Sequence, residues 1–160
     1  MSVETGGGGR AGRKILVVAN ETMVGEVLHD CVRSRAVAEG DAEVMIVAPA
    51  LNSRLRHWIS DVDGARRGAE QRLQLCLDRL AELGIEAHGL IGDGDPLQAI
   101  EDSLKLFSPD EIIISTHPEG RSHWLERGLV QRARDRYPQP IRHVVVDLEL
   151  GHEYLAEQAM

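Results

Sequence analysis

The chain has 160 residues, a net charge of −8 and 3% aromatic residues. That length suits one domain with a full core. The acidic balance excludes a general nucleic-acid binder, which works by neutralising phosphates, and the shortage of rings excludes a base-stacking surface.

Residues 1–12 are rich in glycine and are expected to form a disordered tail. They lack the apolar stretch of a signal peptide. No apolar run in the chain is long enough to span a membrane. A cytoplasmic protein is therefore expected. Cys31 and Cys76 fall on apolar helix faces, form no CxxC pair and read as small core residues.

Lys14 to Ala19 (KILVVA) is a continuous apolar run and predicts a strand buried on both faces. Thr22 is placed to N-cap the next helix. There Val24, Val27, Leu28, Cys31, Val32 and Ala36 recur at helical spacing, and Gly40 closes it. Ala42 to Ala48 predicts a second strand, stopped by Pro49, which has no N–H for a ladder. In the connection from Ala50 to Asp63, Leu51, Leu55, Trp58 and Ile59 have helical spacing, with Trp58 sealing a core edge.

Ala65 to Leu83 is amphipathic, with Ala69, Leu73, Cys76, Leu80 and Leu83 as its apolar stripe and Gly84 as its stop. Ile85 to Ile91 predicts a third strand. Asp95 then caps a helix with Pro96 at its first position and Gln98 completing a capping box. Its apolar positions are Leu97, Ile100, Leu104 and Phe107, and Pro109 stops it. Asp110 to Thr116 predicts the fourth strand. Ser122 is a candidate cap for a helix carrying Trp124, Leu125, Leu129 and Ala133. Arg121, Arg127, Arg132, Arg134 and Arg136 read as a solvated helix face. Ile141 to Val146 predicts the fifth strand. Residues 148–160 form a polar tail, free to move or to serve as a dimer arm.

Strands and helices alternate throughout. The expected fold is α/β: a five-stranded parallel sheet with helices on both faces, Rossmann-like, in one domain over residues 13–147. In such a sheet, ligands bind beyond the carboxyl ends of the strands. The stretch EIIISTHPEGRSHWLERG, from Glu111 to Gly128, is a strand, a tight loop and a helix start of that kind.

Three features carry a resemblance to a known family: the KILVVAN start, the Gly94-Asp95-Pro96 turn into a helix, and the last third, DEIIISTHPEG followed by RGLVQRARDRYPQPIRHVVVD. Over Lys14 to Asp147 the chain resembles the universal stress protein family, whose members include adenine-nucleotide binders. The resemblance implies a regulatory or stress-response module. It also implies a homodimer paired through the last strand, consistent with a valine-rich edge at Val144, Val145 and Val146 that needs cover.

It further implies a nucleotide-sized cleft lined by Ala19, Asn20, Thr22, Ala48 and the loop from Ser115 to Arg121. ATP-binding members carry an acidic residue where this chain has Asn20, and a small hydroxyl residue where it has Thr22. The backbone of Val47 and Ala48 would face the adenine. The family's phosphate motif, glycine at three spaced positions and then a hydroxyl residue, falls here on Ser115, Pro118, Gly128 and Leu129. Only Gly128 keeps it. Pro118 offers no N–H and Leu129 no hydroxyl, which implies weak ATP binding or a different small ligand. Arg121 and Gly120 are placed to compensate. Thr116 and His117 complete the loop.

No catalytic set stands out. His117 and His123 are six residues apart, which is no standard zinc spacing. His117 reads as a loop histidine bonded to backbone. Ser115 and Thr116 are strand neighbours on opposite faces, so adjacency to His117 makes no nucleophile–base pair. The sequence reading is a binding module rather than an enzyme. A weak nucleotidase or transferase using His117, Asp93 and His123, and a ligand-free interaction protein, are the alternatives.

Overall fold

In the computed structural model, residues 13–38, 42–51, 59–118, 124, 128–147 and 152–155 are described. The strands are β1 (Lys14–Val18), β2 (Glu43–Leu51), β3 (Ala87–Asp93), β4 (Glu111–Thr116), β5 (Ile141–Asp147) and β6 (His152–Leu155). The helices are α1 (Glu26–Ala38), α2 (Ile59–Glu82), α3 (Pro96–Leu106) and α4 (Leu129–Arg136). The strand order is β3-β2-β1-β4-β5-β6. Five strands are parallel, as expected, and β6 joins β5 antiparallel.

Continuous apolar strands are buried on both faces because each face has its own helices. Ile15, Val17, Val44, Ile46, Ile113, Val144 and Val146 face Leu28, Cys31 and Val32 of α1 and Ala69, Leu73, Cys76 and Leu80 of α2. Leu16, Val18, Ile112 and Ile114 face Leu97 and Ile100 of α3 and Leu129, Val130 and Ala133 of α4, with Phe107 and Tyr137 at the edge. Both cysteines lie in the first core.

Asp95 caps α3 through its carboxylate, which accepts from Leu97 N–H at 3.1 Å, with Pro96 at the first helical position. Gln98 does not complete the capping box; its amide donates to Asp102 one turn on, at 2.9 Å. Gly92 lets α3 close on the sheet, since a Cβ there would lie 2.8 Å from Val47 Cγ2 and 3.2 Å from Ala99 Cβ.

Several boundaries differ from the expected ones. Thr22 is no N-cap: it lies inside a 3-10 turn over Glu21–Val24, Gly25 returns the chain to extended geometry, and α1 begins at Glu26. Pro49 does not stop β2, which runs on to Leu51 with a register shift between Pro49 and Leu51. Pro49 is tolerated there because the β1–β2 ladder has ended at the Val18–Val47 pair. On that side β2 is an edge, where a missing N–H costs no ladder bond. Helix α2 starts six residues earlier than expected, and β3 runs two residues later. The polar tail contains a strand: β6 pairs Leu155 with Val144 and His152 with Asp147. The expectations for residues 1–12, Gly40, Trp58 and Ser122 lie outside the described residues.

Candidate functional site

The sheet order reverses between β1 and β4, whose following connections leave toward opposite faces. At such a switch point the two connections diverge and leave a crevice beyond the strand ends. Here it is framed by Ala19, Asn20 and the 3-10 turn on one side and by Thr116 to Pro118 on the other.

Two layers of contact tie the sides together. The deeper is a closed pair of hydroxyls: Thr22 Oγ1 donates to Ser115 O at 3.2 Å, and Ser115 Oγ donates to Thr22 Oγ1 at 2.7 Å. Each side chain is almost fully buried, and each hydroxyl has spent its one proton. They pin the β1 connection to the end of β4. The outer layer is a hydrogen bond between His117 Nε2 and Glu21 Oε1 at 2.8 Å. His117 therefore bonds a carboxylate across the crevice, not backbone as expected.

Thr116 points away from this pair. Its hydroxyl donates to His117 O at 2.8 Å and also meets His143 Nε2 at 2.8 Å. With its proton given to the carbonyl, Thr116 accepts from His143, which sets Nε2 as the protonated nitrogen. Ser115 and Thr116 thus have separate partners, and neither forms a hydroxyl–imidazole pair with His117.

Asn20 is held at both ends of its amide. Its Nδ2 donates to Pro49 O at 3.0 Å, and its Oδ1 accepts from Arg72 of α2. Asn20 thus joins the ends of β1 and β2 to α2. Ala19 is buried and its N–H donates to Val47 O at 3.2 Å; Ala48 is buried beside it. Arg72 carried no local signal, since it meets Asn20 from 52 positions away in the chain.

The remaining expected site residues divide. Gly128 caps α4 in the left-handed region, at φ 69°, and its carbonyl accepts from Arg132 N–H at 2.9 Å. Leu129 is 2% exposed and belongs to the second core. Asp93 accepts from Asp95 N–H at 2.8 Å and so shapes the turn into α3. Gly120, Arg121 and His123 lie outside the described residues. Among the described residues no group of three His, Cys, Asp or Glu side chains could hold a metal ion, and no helix is long and apolar enough to cross a membrane.

At the opposite end of the sheet, Glu111 is 3% exposed and is shared by Arg13 at 2.9 Å and Arg35 at 2.9 Å. Burial pushes its pKa up, but the hydrogen bonds and charges of Arg35 and Arg13 outweigh that and hold the carboxyl below the ordinary range.

The strand order and its switch point define a Rossmann-like α/β fold. No protein-family model matches the chain, and no curated protein does. Solved structures do. Hypothetical protein MJ0577 superposes with a TM-score of 0.64 at 16% identity, over 85% of this chain and 97% of that one. A universal stress protein family protein from Arabidopsis thaliana, solved with AMP bound, superposes with a TM-score of 0.59 at 12% identity, over 86% and 94%. The chain has the universal stress protein fold.

Proposed function

We propose that the chain is a regulatory module of universal stress protein type whose crevice between β1 and β4 takes an adenine nucleotide or a similar small ligand. The observation that carries this reading is the convergence of Asn20, Thr22, Ser115 and His117 at the topological switch point. The AMP bound to the Arabidopsis protein supports the choice of ligand class. Ala19 and Ala48 offer backbone and an apolar wall, and the second amide N–H of Asn20 has no acceptor among the described residues and is offered to a ligand hydroxyl.

ATP would be held weakly. The Thr22 and Ser115 hydroxyls donate to protein atoms, and Leu129 packs in the core. In this reading the module works by binding rather than turnover. A homodimer paired through the last strand would use the outer edge of β6, since β6 already occupies the edge of β5. A cytoplasmic setting goes with this reading.

Thermal melting with AMP, ADP and ATP, with and without magnesium, tests it. A nucleotide at 100 times its dissociation constant adds about 2.7 kcal/mol, a melting shift of about 5–10 °C for a domain of this size. Metal-independent stabilisation, largest for AMP, is the expected result. No shift with any nucleotide overturns the adenine-nucleotide reading, and a strict magnesium requirement favours an enzyme of the same fold.

A further inference from the structure

Arg72 is a partly buried cation with no carboxylate partner among the described residues. Its one hydrogen bond among them goes from Nη2 to a neutral amide oxygen, that of Asn20. Its Nε is buried and has no acceptor among them. Other arginines of the chain are treated differently: Arg13 and Arg35 share the buried Glu111, and Arg79 meets Glu26 and Glu82. A charge removed from water is normally paired, because desolvation without a counter-charge is costly. Arg72, half-buried and bonded to Asn20 just beyond β1, has no counter-charge among the described residues.

The helix is shaped to hold it there. Gly68 lies one turn before Arg72 on α2, in a helix interior where glycine is disfavoured. A Cβ at that position would lie 3.3 Å from Arg72 Nη1. The missing side chain gives the guanidinium room to lie along the helix and reach the end of β1.

We propose that Arg72 is the anion-recognising residue of the crevice and takes the phosphate monoester of a nucleoside monophosphate. This rests on the nucleotide reading and adds the group that identifies the ligand. The planar guanidinium offers paired N–H donors that match two phosphate oxygens. Phosphate replaces the Asn20 oxygen on Nη2 and supplies the missing counter-charge. Asn20, released from Arg72, turns its oxygen to a ligand hydroxyl. The chain would thus meet phosphate with a side-chain cation, where the glycine-rich pattern is absent.

The test compares adenosine, AMP and inorganic phosphate on the full chain, wild type against Arg72→Gln and Arg72→Lys, by calorimetric titration at fixed ionic strength. Circular dichroism melting checks that each variant is folded. The wild type should bind AMP about 10- to 100-fold more tightly than adenosine, the range of a charge-assisted hydrogen bond. Arg72→Gln should abolish that preference and leave adenosine unchanged. Arg72→Lys, which keeps the charge without the fork, should restore part of it and also serves if the glutamine variant does not fold. Equal binding of AMP and adenosine by the wild type, or an AMP preference that survives Arg72→Gln, overturns the proposal while leaving a nucleoside crevice in place. Arg72-dependent binding of inorganic phosphate without any binding of adenosine upholds the anion site and overturns the nucleotide reading. Binding of none of the three overturns both.

Discussion

Replacing Thr22 with valine keeps the side-chain shape and removes one oxygen at the join between β1 and β4. That oxygen accepts from Ser115 Oγ at 2.7 Å and donates to Ser115 O at 3.2 Å, with both residues buried. Thr22→Val therefore breaks two bonds and strands a buried hydroxyl. Each net bond is worth about 1 kcal/mol, and an unmet buried donor costs about 1–3 kcal/mol. The expected loss is about 2–3 kcal/mol. Ser115→Ala removes only one of the bonds, leaves the Thr22 donation to the carbonyl intact, and should cost about 1 kcal/mol. In the double variant the Ser115 hydroxyl is no longer stranded, so the two losses should fall short of additive by about 1 kcal/mol. Urea unfolding of all four proteins measures these terms. In melting, Thr22→Val should lower the midpoint by about 4–12 °C. Equal costs for the two single variants, or a coupling below about 0.3 kcal/mol, would refute the pin.

Other outcomes follow from the same structure. Glu111→Gln should cost about 2–3 kcal/mol, less than the 3–5 of a fully buried broken pair, because Arg13 and Arg35 keep about a quarter of their side chains exposed. The Glu111 carboxyl is held below its ordinary range, so its contribution is present above the unfolded value and lost as the pH falls through the folded one. Acid titration of stability should accordingly be shallower in Glu111→Gln than in the wild type; identical curves would contradict this. Burial pushes the Cys76 thiol up to about 12, so a thiol reagent at neutral pH should modify it only after unfolding; rapid labelling of the folded chain at Cys76 would overturn that. Deleting residues 148–160 removes β6 and bares the edge of β5. Sedimentation should then show association beyond that of the full chain at the same concentration, and identical sedimentation would show that β6 is not the cover.

What the sequence revealed follows from where local chemistry decides structure. β1, β4 and β5 were legible because a strand buried on both faces carries an unbroken apolar run, ILVV, III and VVV here. α3 was legible because Asp95 and Pro96 give a helix start its own chemistry. Where tertiary context decides, the sequence misled. Thr22 has the type of an N-cap, yet the partner that claims its hydroxyl, Ser115, lies 93 positions away. Gly25 was the available sign that the helix begins one turn later. Pro49 reads as a strand breaker unless the end of the β1 ladder is known. β6 is short and polar, and it became a strand because the valine-rich edge of β5 needed cover. Of the candidate residues, Ala19, Asn20, Ser115 and His117 were named from the family resemblance, and they stand at or just beyond the strand ends. Arg72 was out of reach, because nothing near it in the chain names Asn20 as its partner.

The most direct test is an amide NMR titration of the full chain with AMP. The account predicts that shift changes concentrate at Ala19, Asn20, Ala48 and the stretch from Ser115 to His117, on both sides of the β1–β4 crevice. Changes confined elsewhere, such as the shallow depression on α1 lined by Asp30, Arg33, Ser34 and Val37, or no changes up to millimolar AMP, would contradict it.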